Sequence, residues 1–160
     1  VNFIIKNHWQ ENETSVEKIS NIRTANQGGC LMKFGEILRS GDWKNEKHVP
    51  VITAPETVKA NQAFEIGLSI GAEDPHPNTA EHHIRWMKLL FQPTEGFTFE
   101  LADIQLAGHG EGLKGGHEGP VYTDPFAKVT VRLKESGTLL AMSYCNIHGL
   151  WENSKAISVE

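Results

Sequence analysis

The sequence predicts an all-β chain: an immunoglobulin-like antiparallel β-sandwich with a short N-terminal extension. Three observations carry this. From Val49 onward apolar residues recur with a period of two, the spacing of half-buried strands. Seven or so short runs of this kind are separated by regular turn signals built from Gly, Pro, Asn, Asp and Ser. The chain has 160 residues, a length that suits one domain and buries roughly 69% of the surface its unfolded form exposes. One core of that size needs neither a disulfide framework nor a metal staple.

Residues 1–38 differ in texture from the rest and are assigned to the extension. Thr14 and Ser15 can cap a short helix through Val16, Ile19 and Ile22 that ends near Gly28-Gly29. A loosely docked extended segment fits the same residues equally well. Met32, Phe34, Ile37 and Leu38 are expected to clip this segment onto the main domain. The main domain, residues 39–160, opens with the alternating Val49, Val51 and Thr53. Phe64, Ile66, Leu68 and Ile70, bounded by Gly71, give the clearest strand. His82–Phe91 is another, expected to place Ile84, Trp86 and Leu90 on one face and Met87, Leu89 and Phe91 on the other. Two short runs follow, Phe97–Leu101 and Ile104–Ala107. The glycine-rich stretch 108–119, which holds His109 and His117, forbids regular structure. Val129–Leu133 and Leu139–Tyr144 flank a turn at Glu135-Ser136-Gly137, and Ala156–Val159 is expected as a last edge strand.

Composition removes several classes of function. Fifteen basic residues against twenty acidic leave a net charge of −5, which disfavours a nucleic-acid or anionic-membrane partner. No apolar run approaches the ~20 residues that span a bilayer. The opening Val-Asn-Phe-Ile-Ile-Lys has too short an apolar core for a signal peptide, so a cytoplasmic location is expected. The two cysteines, Cys30 and Cys145, then read as reduced thiols rather than as a staple.

Eight histidines, several in loop-like contexts, point to a metal. His48 follows Glu46-Lys47 just before a strand. His76 stands between Pro75 and Pro77, which fix the backbone on both sides. Asn78 can cap a single helical turn that returns His82 toward His76. His83 leaves its strand on the opposite face and is expected to be structural. Cys145-Asn146-Ile147-His148 is a chelating spacing, because one tight turn brings thiolate and imidazole onto a single ion. Gly149 frees the backbone to turn, and Leu150 and Trp151 are placed to exclude water behind the metal. Four histidines and one cysteine exceed the four ligands of a closed zinc site. An ion with room for five or six ligands, such as iron, fits better, and a single thiolate opposite an open position favours redox chemistry on a bound oxygen species.

These same residues carry a family resemblance. Ser40-Gly41-Asp42-Trp43-Lys44-Asn45-Glu46-Lys47-His48-Val49-Pro50, then His76-Pro77-Asn78 through Glu81-His82-His83-Ile84, then Cys145-Asn146-Ile147-His148-Gly149, resemble the superoxide reductases of the single-iron neelaredoxin type, the desulfoferrodoxin iron-binding family. The likeness begins near Arg39 and includes Ala107–Glu111 and Val121–Pro125. It implies a square-pyramidal mononuclear iron cycling between Fe2+ and Fe3+. His48, His76, His82 and His148 match its equatorial imidazoles, Cys145 its axial thiolate, and Glu46 the carboxylate of the sixth position in the ferric state. Lys47 matches an exposed cation beside the open position. The resemblance further implies one-electron reduction of superoxide to hydrogen peroxide, rubredoxin or a similar small electron donor, and a homotetramer. The N-terminal stretch departs from the two-iron relatives, whose four-cysteine centre cannot form around Cys30 alone. Two other classes stand beside this reading: a non-catalytic β-sandwich binding domain stabilised by zinc, and a metal-dependent hydrolase whose one candidate base is Glu46.

Overall fold

Alternation of apolar side chains from residue 51 onward resolves into eight strands. They are β1 (Val51–Thr53), β2 (Thr57–Val58), β3 (Phe64–Ser69), β4 (Ile84–Pro93), β5 (Phe99–Gln105), β6 (Phe126–Val131), β7 (Gly137–Cys145) and β8 (Gly149–Val159). The computed structural model describes residues 31–160, and the body considered below is Phe34–Glu160. Its one helical element among the described residues is a single 3-10 turn, Phe34–Glu36. A three-stranded sheet in the order β1-β3-β6 faces a five-stranded sheet in the order β2-β8-β7-β4-β5. Among the named strands all pairings are antiparallel except the short β2–β8 contact. The all-β sandwich expected from the sequence is the fold observed.

The core lies between the sheets. Ile66 and Leu68 of β3 meet Met87 and Leu89 of β4 and Leu139 and Ala141 of β7, all fully buried. Each fully buried Leu, Ile or Met side chain contributes roughly 1.5–3 kcal/mol over leaving it in water. On β7 the inward positions run Leu139, Ala141, Ser143, Cys145, so the strand that carries the core ends in the thiol. No separate device is needed to aim the sulfur inward.

Four expectations need correction. On β4 the register slips between Ile84 and Trp86, where Arg85 bulges out of the pairing with β7. The slip reverses parity, so Ile84 is buried with Met87, Leu89 and Phe91 while Trp86 turns outward and stacks on Tyr144, with centroids 5.7 Å apart. Phe97–Leu101 and Ile104–Ala107 are not two runs but one strand, β5, whose irregularity opposite Leu89 and Leu90 broke the pattern. The last strand begins at Gly149 rather than Ala156, because β8 pairs with β7 from Cys145↔Gly149 to Gly137↔Ile157. Its polar centre, Glu152 to Lys155, hid it. Phe34 and Ile37 remain exposed, so the apolar clip is not packed as expected. Backbone bonds tie this end down instead: Arg39 N–H donates to the Leu150 carbonyl (3.1 Å), and Glu152 N–H donates to the Arg39 carbonyl (2.8 Å). The expected helix through Val16, Ile19 and Ile22, together with Cys30, lies outside the described residues.

Candidate metal centre

Register brings the chemistry together. Ile84 pairs with Cys145, and Cys145 pairs with Gly149, so the start of β4, the end of β7 and the start of β8 share one end of the larger sheet. His82 immediately precedes that β4 end. Ser143, fully buried on β7, donates its hydroxyl to the His48 carbonyl at 2.9 Å and fastens the segment before β1 to the same place.

Each loop has a local cause. Gly71 has φ 69°, and a Cβ there would lie 2.5 Å from the His76 nitrogen, so only glycine lets the chain double back onto His76. The return to His82 is a tight turn rather than the helical turn expected, and its cap is Thr79 rather than Asn78. Thr79 N–H donates to the His82 carbonyl (3.0 Å), His82 N–H donates to the Thr79 carbonyl (3.2 Å), and Thr79 Oγ1 also accepts from His82 N–H (3.1 Å). Gly149, at φ 80°, closes the Cys145–His148 turn as the sequence suggested. Asn146 locks that turn to its neighbour: its Oδ1 accepts from His83 N–H at 2.9 Å, and its Nδ2 donates to the Glu81 carbonyl at 2.8 Å.

The four histidines form a square. Ring centroids lie 4.8 Å apart for His48–His76, 4.7 Å for His76–His82, 4.9 Å for His82–His148 and 4.6 Å for His148–His48, each pair edge to face. The His48–His82 diagonal is 6.3 Å. Half of that diagonal matches an imidazole bound to a central ion through one nitrogen at the ~2.0–2.1 Å usual for such bonds. The ligand atoms of His48, His82, Cys145 and His148 lie within 4.8 Å of one another. Cys145 Sγ is 3.6 Å from His148 Nδ1 and accepts from His148 N–H at 3.4 Å.

His48 and His76 each have one ring nitrogen engaged by a neighbour outside the square. His48 Nδ1 is held by Glu46 Oε1 at 2.5 Å, and His76 Nδ1 donates to the Pro77 carbonyl at 2.7 Å, which leaves both Nε2 atoms as lone-pair donors. The Nε2 atoms of His76 and His82 are buried with no hydrogen-bond partner. Orphaned nitrogens at that depth are costly unless an ion takes them. His148 Nδ1 lies 2.9 Å from His48 Nε2, the spacing of two adjacent ligands on one ion. Burial pushes His76 down to about 4, and the His48, His82 and Lys47 charges add to it against the Pro77 hydrogen bond. His82 is lowered by burial first and then by the His148, His48 and Lys47 charges. Both imidazoles are therefore neutral near pH 7, the state that binds metal.

Cys145, His48 and His76 are buried, His82 is partly covered and His148 is exposed, so the cup opens on one side. Trp151 stacks on His48 with centroids 4.9 Å apart and planes 15° apart, so the water-excluding residue expected behind the metal is a lid on one ligand ring. Glu46 is directed at the outer nitrogen of His48 rather than into the cup. Burial raises its pKa, but the His48 hydrogen bonds, then the His48 and Lys47 charges, outweigh burial and hold the carboxyl below its usual range. Lys47 Nζ is 3.9 Å from Asp74 Oδ2, a partner the sequence did not suggest. Ser143, Asp74 and Asn146 were not legible as site residues, because each acts across a wide gap in sequence. His76 Nε2, buried and unpartnered beside four donors that lie within 4.8 Å of one another, adds a fifth candidate, one more than closed tetrahedral zinc takes, and the candidate hydrolase base Glu46 is engaged with His48.

Fold and donors together define a class: a two-sheet β-protein with a sulfur–imidazole cluster fit to hold a metal at one end of its larger sheet. The chain belongs to the desulfoferrodoxin family, whose model matches residues 40–154, and its cofactor is a mononuclear iron. It is 45% identical to the neelaredoxin of Megalodesulfovibrio gigas over 81% of this chain and all of that one. It is 47% identical to the superoxide reductase of Pyrococcus furiosus over 75% of this chain and 95% of that one. The reduced-form structure of the superoxide reductase (neelaredoxin) of Archaeoglobus fulgidus superposes with a TM-score of 0.70 at 44% identity, covering 77% of this chain and 99% of the other.

Proposed function

We propose that the chain is a superoxide reductase whose iron is held by His48, His76 and His82 through Nε2, His148 through Nδ1, and Cys145 through sulfur. The observation that carries this is the imidazole square above a buried thiol, with two of its buried nitrogens unpartnered. Iron bound there would supply the one electron that, with two protons, takes superoxide to hydrogen peroxide. The protein residues do the rest. Glu46 fixes the His48 tautomer, and the neutral His76 and His82 keep their lone pairs on the centre. Cys145 sits at the buried end, where its sulfur accepts from the His148 N–H. Lys47 offers a positive charge near the open side. For Glu46 to act as a sixth ligand, its bond to His48 must first break.

The family resemblance supports rubredoxin or a similar small protein as electron donor, a homotetrameric assembly and a cytoplasmic setting. No helix among the described residues is long and apolar enough to cross a membrane. The catalytic domain is taken as residues 39–160, since Arg39 is, among the described residues, where pairing with β8 begins. Stoichiometry tests the activity. With a donor restoring the reduced state, one peroxide should form per superoxide consumed. Half that yield, with dioxygen released, would make the protein a dismutase and overturn the reading.

A further inference from the structure

His109 stands outside the imidazole square, and the chemistry above does not use it. It is nevertheless buried, and so is His83, against which it stacks with centroids 3.6 Å apart and planes 11° apart. Its Nδ1 is 2.7 Å from Asn78 Oδ1, and its Nε2 is 3.0 Å from the Leu106 carbonyl. The Asn78 amide is oriented without ambiguity, because its Nδ2 donates to the Thr123 carbonyl at 3.1 Å and its oxygen must therefore face His109. His109 is held in turn by Glu111, whose carboxylate accepts its backbone N–H at 2.7 Å, and by a β-bridge to Tyr122. His83 Nδ1 donates to the Thr79 carbonyl at 2.8 Å.

Asn78 and Thr79 lie in the short segment between His76 and His82. We infer that His109 is a positioning residue for the metal centre, gripping the His76–His82 loop through Asn78 on one side and through the face of His83 on the other. The inference rests on the ligand set proposed above. The Asn78 contact is the shorter of its two, and a neutral ring with hydrogen on Nδ1 makes it. A second proton adds the Leu106 bond. Burial disfavours that proton, as do the His83 and Arg85 charges, while the Leu106 carbonyl and Glu111 favour it. The glycine-rich stretch around His109 thereby becomes a brace that reaches the ligand loop from a separate part of the chain.

The test measures iron release from the full-length, iron-loaded protein to a chelator at neutral pH. His109→Phe keeps a flat ring against His83 and removes the donor, so iron should leave on the order of 10-fold faster, as for other residues that orient ligands. Asn78→Ala should do the same. The double variant should be no faster than either single one, because both changes cut one connection. His109→Gln, which retains an N–H donor, should recover part of the loss. Wild-type release rates in His109→Phe, or in Asn78→Ala if His109→Phe does not fold, would overturn the inference, as would effects that multiply in the double variant. Iron retention is read without superoxide, so a failure here is distinct from a failure of the proposed activity.

Discussion

Lys47 meets an incoming anion with a charge already half engaged, its amine 3.9 Å from Asp74 and its side chain 35% exposed. The whole chain carries −5, which repels superoxide on average, so fast capture depends on the local field. Lys47→Ala should slow the second-order reaction by roughly 10-fold at low salt and flatten its salt dependence. Lys47→Glu should be slower still, with a rate that rises as salt is added. Asp74→Asn should act in the opposite direction and speed capture. Pulse radiolysis at two ionic strengths checks all three, and identical rates for Lys47→Ala and wild type would remove Lys47 from the mechanism. At this scale the sequence was most legible where residues sit in one short motif. Glu46, Lys47 and His48 are adjacent, and Cys145 and His148 are one turn apart. It was least legible where a contact spans the chain: Ser143 reaches His48 and Asn146 reaches His83 only after the sheets have formed.

Loops and strands divide the labour, so they fail differently. Gly71→Ala would force a Cβ to 2.5 Å from the His76 nitrogen and 2.9 Å from the Asp74 carbonyl oxygen, both backbone atoms that cannot simply swing aside. With the strain of a positive φ, on the order of 1–3 kcal/mol, the expected result is a folded protein that holds iron poorly. Leu89→Ala, at a fully buried position on β4, should cost about 2–5 kcal/mol of stability while the folded fraction keeps its iron. Metal content and thermal melting of the two variants separate the effects; loss of stability without loss of iron in Gly71→Ala would contradict the role given to that turn. Period-two patterning revealed most strands because one face of each is buried. It caught only the end of β8, Ala156–Val159, because Glu152, Asn153, Ser154 and Lys155 interrupt the alternation before it, and pairing with β7 holds them extended instead. It misassigned the faces of β4 because a one-residue bulge at Arg85 reverses parity, and nothing local marks a bulge.

Across the whole molecule, every proposed ligand lies beyond the first forty residues, and among the described residues backbone pairing with the sandwich begins at Arg39. Removing residues 1–36 should therefore leave iron content and peroxide yield within about twofold of the full chain, the small effect expected of a change away from the site. Loss of iron with the sheets intact, read by metal analysis and circular dichroism, would give the extension a part in shaping the centre.

Central to the proposed site is that Cys145, buried at the end of β7, would hold the iron through sulfur. Absorption spectra of oxidised wild-type protein and of Cys145→Ser, each loaded with iron, test it most directly. A visible sulfur-to-iron charge-transfer band should be present in the first and bleach on reduction. It should be absent from the second, although that variant remains folded because Cys145 is one small member of a core whose bulk comes from Ile66, Leu68, Met87, Leu89 and Leu139. A folded, iron-loaded Cys145→Ser protein that keeps the band would show that Cys145 is not a ligand and would contradict the account.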